Sequence, residues 1–181
     1  SILNGSGVIG RALAIAGSGT VKLGGTFSGQ SITVSSGSVA VADGADLTLT
    51  DVTLASGVKF VVPSIKESST VTLMTAKTIT DNGITLDTSA SASGIDWDSP
   101  SIVTDGDVQM LQISPKVYTV QVGETKYETF AKMFESETGY TVDAIVLLET
   151  DEDVTVPSGH VLRLDDATGL HTGSITGTVM Y

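Results

Sequence analysis

Residues 32–37 read Ile-Thr-Val-Ser-Ser-Gly, and residues 52–57 read Val-Thr-Leu-Ala-Ser-Gly, twenty positions on. Gly17, Gly37 and Gly57 keep the same step. So do Val21, Val41 and Val61, then Gly24 and Gly44, then Phe27 and Leu47. Between these marks apolar residues alternate with polar or small ones: Ile32/Val34, Val39/Val41, Leu47/Leu49, Val52/Leu54. Period two means strands with one buried face. Gly and Ser-Gly every six to ten residues cut the strands short. Short strands at a fixed step predict a coil whose turns stack, with inward Val, Ile and Leu columns as its core. Each turn adds about 4.8 Å, so a coil over residues 15–120 would make about five turns and a stack of about 25 Å. The expected fold is all-β: a parallel β-helix (solenoid) with one short capping α-helix. The alternative is a β-sandwich, which has no reason to keep a fixed period.

The period fades after Val61. Pro63 opens a less regular stretch, and Thr70-Val71-Thr72-Leu73-Met74 restarts the alternation. Asp81-Asn82-Gly83 is a turn signal before Ile84-Thr85-Leu86, and residues 88–100 read as a Ser-, Ala- and Asp-rich loop. Charge then changes. Residues 1–60 carry three acids (Asp43, Asp46, Asp51) and three bases (Arg11, Lys22, Lys59), whereas residues 121–166 carry eleven acids and three bases. This shift divides the chain into a β-helix domain at 1–120 and a helix-capped β segment at 121–181, the start or the cap of a further β-helix.

In the second part, Thr125 and Glu128 have capping-box spacing. Tyr127, Phe130, Ala131 and Phe134 fall at i, i+3, i+4 and i+7, one apolar stripe, and Gly139 supplies a stop. Three strands follow, through Ala144–Leu148, Val154–Val156 and Val161–Leu164, with a Pro-Ser-Gly turn at Pro157–Gly159.

Composition excludes several classes of function. The chain has 181 residues, a net charge of −12 and no cysteine. Disulfides and zinc-thiolate sites are ruled out. The acidity argues against nucleic acid, whose phosphates need Lys and Arg. No apolar run approaches the ~20 residues of a membrane helix. The chain opens without Met or a signal peptide, which leads us to expect a piece of something longer. Hydrophobic residues make up 40%, enough for a core, and Ser with Thr contribute about a quarter of the chain.

Motifs that could carry chemistry are incomplete. Gly5-Ser6-Gly7-Val8-Ile9-Gly10 fits the dinucleotide fingerprint. That fingerprint needs a preceding strand, a following helix and an acid about twenty residues on, and residues 24–30 hold no acid. His160 and His171 lie eleven apart, with Asp165 and Asp166 between them and no metal-binding spacing. Acids cluster at Asp96/Asp98, Asp105/Asp107 and Asp151/Glu152/Asp153. Paired carboxylates can cleave glycosides, but one Arg in each half and the single Trp97 make a poor sugar groove. Asp96-Trp97-Asp98 and Asp105-Gly106-Asp107 offer hard oxygen ligands suited to calcium, though neither matches an EF-hand. Solvated acidic loops are the default reading. No catalytic, cofactor-binding or metal-ligating residue is assigned, no cofactor is expected, and the chain is not expected to be an enzyme.

GSGTVKLGGTFSGQSITVSSGSVAVADGADLTL (Gly17–Leu49) resembles the autotransporter-associated β-strand repeat of bacterial passenger domains, on Gly17, Gly19, Val21, Leu23, Gly25, Phe27, Gly29, Ile32 and Gly37. TVTLMTAKTITDNGITL (Thr70–Leu86) looks like the strands that commonly follow such repeats. One good copy of the repeat is visible, and the membrane-barrel segment of a complete autotransporter is not part of the sequence. VGETKYETFAKMFESETGYTVDAIVLLETDEDVTVPSGHVLRL (Val122–Leu164) resembles a unit of bacterial surface β-helix proteins, in which a short helix covers the open end of the coil. On that resemblance Tyr127, Phe130 and Phe134 would plug a core. It implies a parallel β-helix outside the cell, at a bacterial surface or secreted. The expected function is a non-catalytic stalk, scaffold or self-associating module, whose partners are neighbouring domains of a larger chain or copies of itself. The alternative is an adhesin that presents loops such as Ser89–Pro100 to a glycan or protein receptor. An enzyme acting on polysaccharide is a distant third.

Overall fold

Stacked parallel strands dominate a computed structural model that describes residues 2–4, 12–28, 31–42, 45–64 and 69–181. The fingerprint at residues 5–10, and Arg11, Gly29, Asp43 and Gly44, lie outside the described residues. The fold is an all-β parallel β-helix with one short α-helix. The chain forms two compact units, Ser1–Ser91 with Trp97–Pro115, and Ala92–Asp96 with Lys116–Tyr181.

The first unit coils. Its first turn holds β1 (Ile2–Asn4) and β2 (Leu13–Ile15), and its second β3 (Thr20–Gly24), β4 (Thr26–Ser28) and β5 (Ile32–Val34). The third holds β6 (Ser38–Val41) and β7 (Asp46–Leu54), and the fourth β8 (Lys59–Val61) and β9 (Val71–Asp81). Strand β10 (Thr85–Asp87) begins a fifth. Strands β1, β3, β6, β8 and β10 form one parallel column, and β2, β5, β7 and β9 form another. Five strands at the usual spacing make a column about 19 Å tall. Leu13, Ile32, Val52 and Ile79 stack in register, as do Ile15, Val34 and Leu54. Between them, Thr33, Thr53 and Thr80 form an outward ladder. Ile32, Val34, Val52 and Leu54 are at most 1% exposed. Burying each such side chain contributes about 1.5–3 kcal/mol before chain entropy is subtracted. A sandwich of antiparallel sheets is excluded for β1–β10 by their parallel register.

The twenty-residue step holds between some turns of the coil and not between others. Ile32 faces Val52 and Phe27 faces Leu47, each twenty apart. In the other column Val21 faces Val39, and Val39 faces Phe60, steps of 18 and 21. Val21, Val41 and Val61 therefore lie in one column of strands but do not stack in register. The reason is a corner of variable length. One residue separates β3 from β4, whereas four separate β6 from β7. The glycine ladder does stack. Gly17, Gly37, Gly57 and Gly83 all have positive φ, from 81° to 136°, a conformation that disfavours side chains. Gly37 O accepts from Lys59 N at 3.0 Å, and Gly83 O from Gly57 N at 3.2 Å.

The coil does not run to residue 120. After β10 the chain makes short β11 (Ile95–Trp97), inside the stretch read as loop, and then an antiparallel hairpin. This hairpin is β12 (Ser101–Asp105) and β13 (Val108–Ile113), and β13 pairs antiparallel with β9. Gly106-Asp107 closes it, with Gly106 at φ +58° as the first central residue of a type II′ turn requires. A further short strand, β14 (Pro115–Val117), follows.

The second unit contains β15 (Val120–Val122), β16 (Thr125–Tyr127), α1 (Phe130–Ser136), β17 (Thr141–Val146), β18 (Val154–Thr155), β19 (Val161–Asp165), β20 (Ile175–Thr176) and β21 (Val179–Met180). It too coils. Strand β17 pairs parallel with β19, Val142 facing Leu162 and Ala144 facing Leu164, twenty apart. Thr150 bridges His171 and β18 pairs with β20, both 21 apart, and β19 pairs with β21. Strand β15 closes one edge by antiparallel pairing with β17.

The helix starts later than Thr125, which belongs to β16 in a hairpin with β15. Its N-cap is Thr129, whose Oγ1 accepts from Lys132 N at 3.1 Å. It ends where Glu137 turns extended, two residues before Gly139. Phe130 and Met133 are the side chains that enter the core, at 1% and 0% exposed. They pack with Val142, Ala144, Val154 and Leu162. Tyr127 and Phe134 sit half-buried at its margin and Ala131 is exposed.

Candidate functional site

The second unit gathers most of the residues that sequence reasoning singled out, and it uses them to tie the coil together. Glu152 lies in the acidic run between β17 and β18. Its carboxylate accepts from Phe130 N at 3.0 Å and from Ala131 N at 3.3 Å. These are the first two N–H groups of α1, which have no partner inside the helix. With Thr129 accepting from Lys132 N, the start of the helix is satisfied from two directions. Asp153 Oδ1 accepts from Ser174 N at 2.9 Å and from Ser174 Oγ at 2.6 Å, one turn of the coil further on. The hydroxyl first and the amide second hold the Asp153 carboxyl below the ordinary aspartate value of 3.8. Asp166 Oδ1 accepts from Leu170 N at 2.6 Å, and Oδ2 from His171 N at 3.0 Å.

Both histidines bind backbone. His160 Nδ1 lies 2.8 Å from Gly139 O, and His171 Nε2 lies 2.8 Å from Glu152 O. A carbonyl only accepts, so each of those nitrogens carries its proton. Each ring also meets the helix edge-on, His171 against Phe130 and His160 against Phe134. Tyr127 donates its hydroxyl hydrogen to Glu137, and that bond pushes the tyrosine pKa above its usual 10.0. Lys132 pairs with Glu128, which raises the lysine above 10.5. Lys126 pairs with Asp96 at 2.6 Å.

In the first unit, Asp105 and Asp107 flank Gly106 at the tip of the β12–β13 hairpin, exposed. Trp97 is half-buried against the first core, and its indole Nε1 donates to Ser91 Oγ at 2.9 Å. Asp87 accepts from Ser89, whose hydroxyl and amide hold its carboxyl below 3.8. No three His, Asp or Glu side chains converge on a metal-sized space among the described residues.

A cleft of about 670 Å³ lies in the first unit between β7 and β9. Those strands pair only from Leu49/Ala76 onward, and the walls before that point include Leu47, Leu73, Met74 and Val108. Lys77 and Asp107 are its charged lining residues. A single ammonium and a single carboxylate on an aliphatic and threonine wall make no acid–base pair for glycoside cleavage.

Sequence reasoning missed Glu152 as a helix cap and Met133 as a core residue. It expected the start or the cap of a further β-helix in residues 121–181 but did not note that Val142/Leu162 and Ala144/Leu164 carry its twenty-residue step. No family model, curated protein or solved structure matches the chain.

Proposed function

We propose that this chain is a non-catalytic β-solenoid module, a stalk, scaffold or self-associating unit at a bacterial surface. One observation carries the reading. The carboxylates and imidazoles that a site would need are engaged with the chain's own backbone: Glu152 on Phe130 and Ala131, Asp153 on Ser174, Asp166 on Leu170 and His171, His160 on Gly139 and His171 on Glu152. Such groups stiffen a coil rather than turn over a substrate. The extracellular setting rests on the resemblance of Gly17–Leu49 to the passenger repeat. Partners on this reading are adjoining domains of a longer chain or other copies.

The test pairs a glycan array with incubation on polyanionic polysaccharides. We expect neither reproducible binding nor product. Sugar binding lost in Trp97→Ala would replace the scaffold reading with the adhesin one. Turnover lost in Asp96→Asn or Asp105→Asn would replace it with an enzyme.

A further inference from the structure

We propose that β12 is a self-pairing edge, through which two copies of this chain join their sheets around a two-fold axis at Val103. The proposal deepens the scaffold reading and rests on its self-association arm. Among the described residues β12 is the last strand of a seven-stranded sheet, paired on one side by β13. All five of its residues are exposed, with Ile102 at 39% and Val103 at 41%. Val108, across the turn, adds a third exposed aliphatic at 38%.

Natural edges are usually blunted by lysine, proline, a bulge or an inward charge. Ser-Ile-Val-Thr-Asp carries no lysine, arginine or proline, and its five pairs with β13 run without a register shift. Strand β16, an edge of the sheet in the second unit, is dressed differently, since it carries Lys126 bound to Asp96.

The register makes the occupant a second copy. Asp105 and Val108 flank a two-residue turn, so they form a hydrogen-bonded pair, and the pairs alternate along the ladder from there. Residues 101, 103 and 105 thus turn their amides toward β13, while Ile102 and Thr104 turn theirs outward. An antiparallel copy centred on Val103 sets Ile102 against Thr104 of the other strand, and Thr104 against its Ile102. Both pairs exchange N–H and C=O, giving four backbone bonds. Val103 meets Val103 in a non-hydrogen-bonded pair, and Asp105 falls opposite Ser101, so no like charges face each other. The net charge of −12 on each copy opposes approach and is screened by salt, so association strengthens with ionic strength.

The chain has no cysteine, so one introduced thiol reports the geometry without background. In a non-hydrogen-bonded pair the two Cα atoms lie about 4.5 Å apart, within disulfide reach. Under mild oxidant, Val103→Cys should crosslink into dimers at least tenfold faster than Ser158→Cys, placed on an exposed turn of the second unit. Equal rates, or no Val103→Cys dimer, would overturn the proposal. Sedimentation of the wild-type chain in 20 mM and 500 mM NaCl should show more dimer in high salt. Val103→Lys and Val103→Asp should each stay monomeric, and their mixture should regain the dimer. A wild type that associates while Val103→Lys associates equally well would refute this edge and leave self-association standing. A wild type that stays monomeric throughout would remove both.

Discussion

Replacing Gly37 by alanine tests the stack at its tightest point, and replacing Gly57 provides the control. Both glycines sit at the same corner of successive turns, at φ +85° and +81°. Either alanine carries the cost of a left-handed L-residue, about 1–2 kcal/mol. A methyl at Gly57 meets nothing within 4 Å. A methyl at Gly37 meets Gly17 O at 2.6 Å and Gly19 O at 2.8 Å, backbone atoms of the preceding turn that cannot rotate away. Gly19 O is also the acceptor of Ser38 N, so moving it strains the ladder. Overpacking of this kind adds about 1–3 kcal/mol. Gly57→Ala should therefore cost about 1–2 kcal/mol, and Gly37→Ala about 2–5 kcal/mol. Urea unfolding read by Trp97, the single tryptophan and a member of the first unit, measures the difference. With a slope of about 1–3 kcal/mol/M, that extra cost should lower the Gly37→Ala midpoint by about 0.3–3 M more than that of Gly57→Ala. Equal midpoints would mean that Gly37 does not lie on the Gly17–Gly19 corner, and the stacking argument would fail.

Phe130→Ala empties a 1%-exposed position and should destabilise the second unit by about 3–5 kcal/mol, seen as faster hydrogen exchange across β17 and β19. Glu152→Ala removes the acceptor of two helix N–H groups and should cost about 0.5–2 kcal/mol, while Glu149→Ala, exposed nearby, should stay within about 0.5 kcal/mol of wild type, both read by hydrogen exchange across the second unit. Asp153 has a folded pKa below its unfolded one, so its contribution is complete above the ordinary value of 3.8 and is lost as pH falls through the lower folded value. Asp153→Asn should accordingly flatten the acid limb of stability below about pH 4. A mutant and a wild type that lose stability in parallel there would remove Asp153 from the account.

Residues that repeat an environment were legible, and residues whose partner is distant were not. Ile32 and Val52 occupy equivalent places in successive turns, so the sequence repeats there. Val21 and Val39 are equivalent too, but the one-residue corner after β3 makes the step 18 instead of 20. Thr125 and Glu128 had capping-box spacing, yet Thr125 pairs with Val122 in a hairpin. The true cap, Thr129, has Lys132 at the third position, and its acidic partner Glu152 is 22 residues from Phe130. A local motif cannot report a cap supplied by the next segment of coil. The hairpin β12–β13 broke the expected coil because Asp105-Gly106-Asp107 is turn chemistry first, and it was read for its carboxylates alone. The acidic clusters read as solvated were partly structural, for the same reason that Glu152 was missed.

Residues twenty apart lie side by side on parallel strands β5 and β7, and again on β17 and β19. Nuclear Overhauser contacts between backbone protons of Ile32 and Val52, Thr33 and Thr53, and Val142 and Leu162 test this most directly, since each pair is a direct neighbour in its ladder. All three pairs should show interstrand amide–amide and amide–Hα contacts, without the short Hα–Hα contacts of antiparallel strands. Strong Hα–Hα contacts between β5 and β6, or between β6 and β7, would mark consecutive hairpins and contradict the coil.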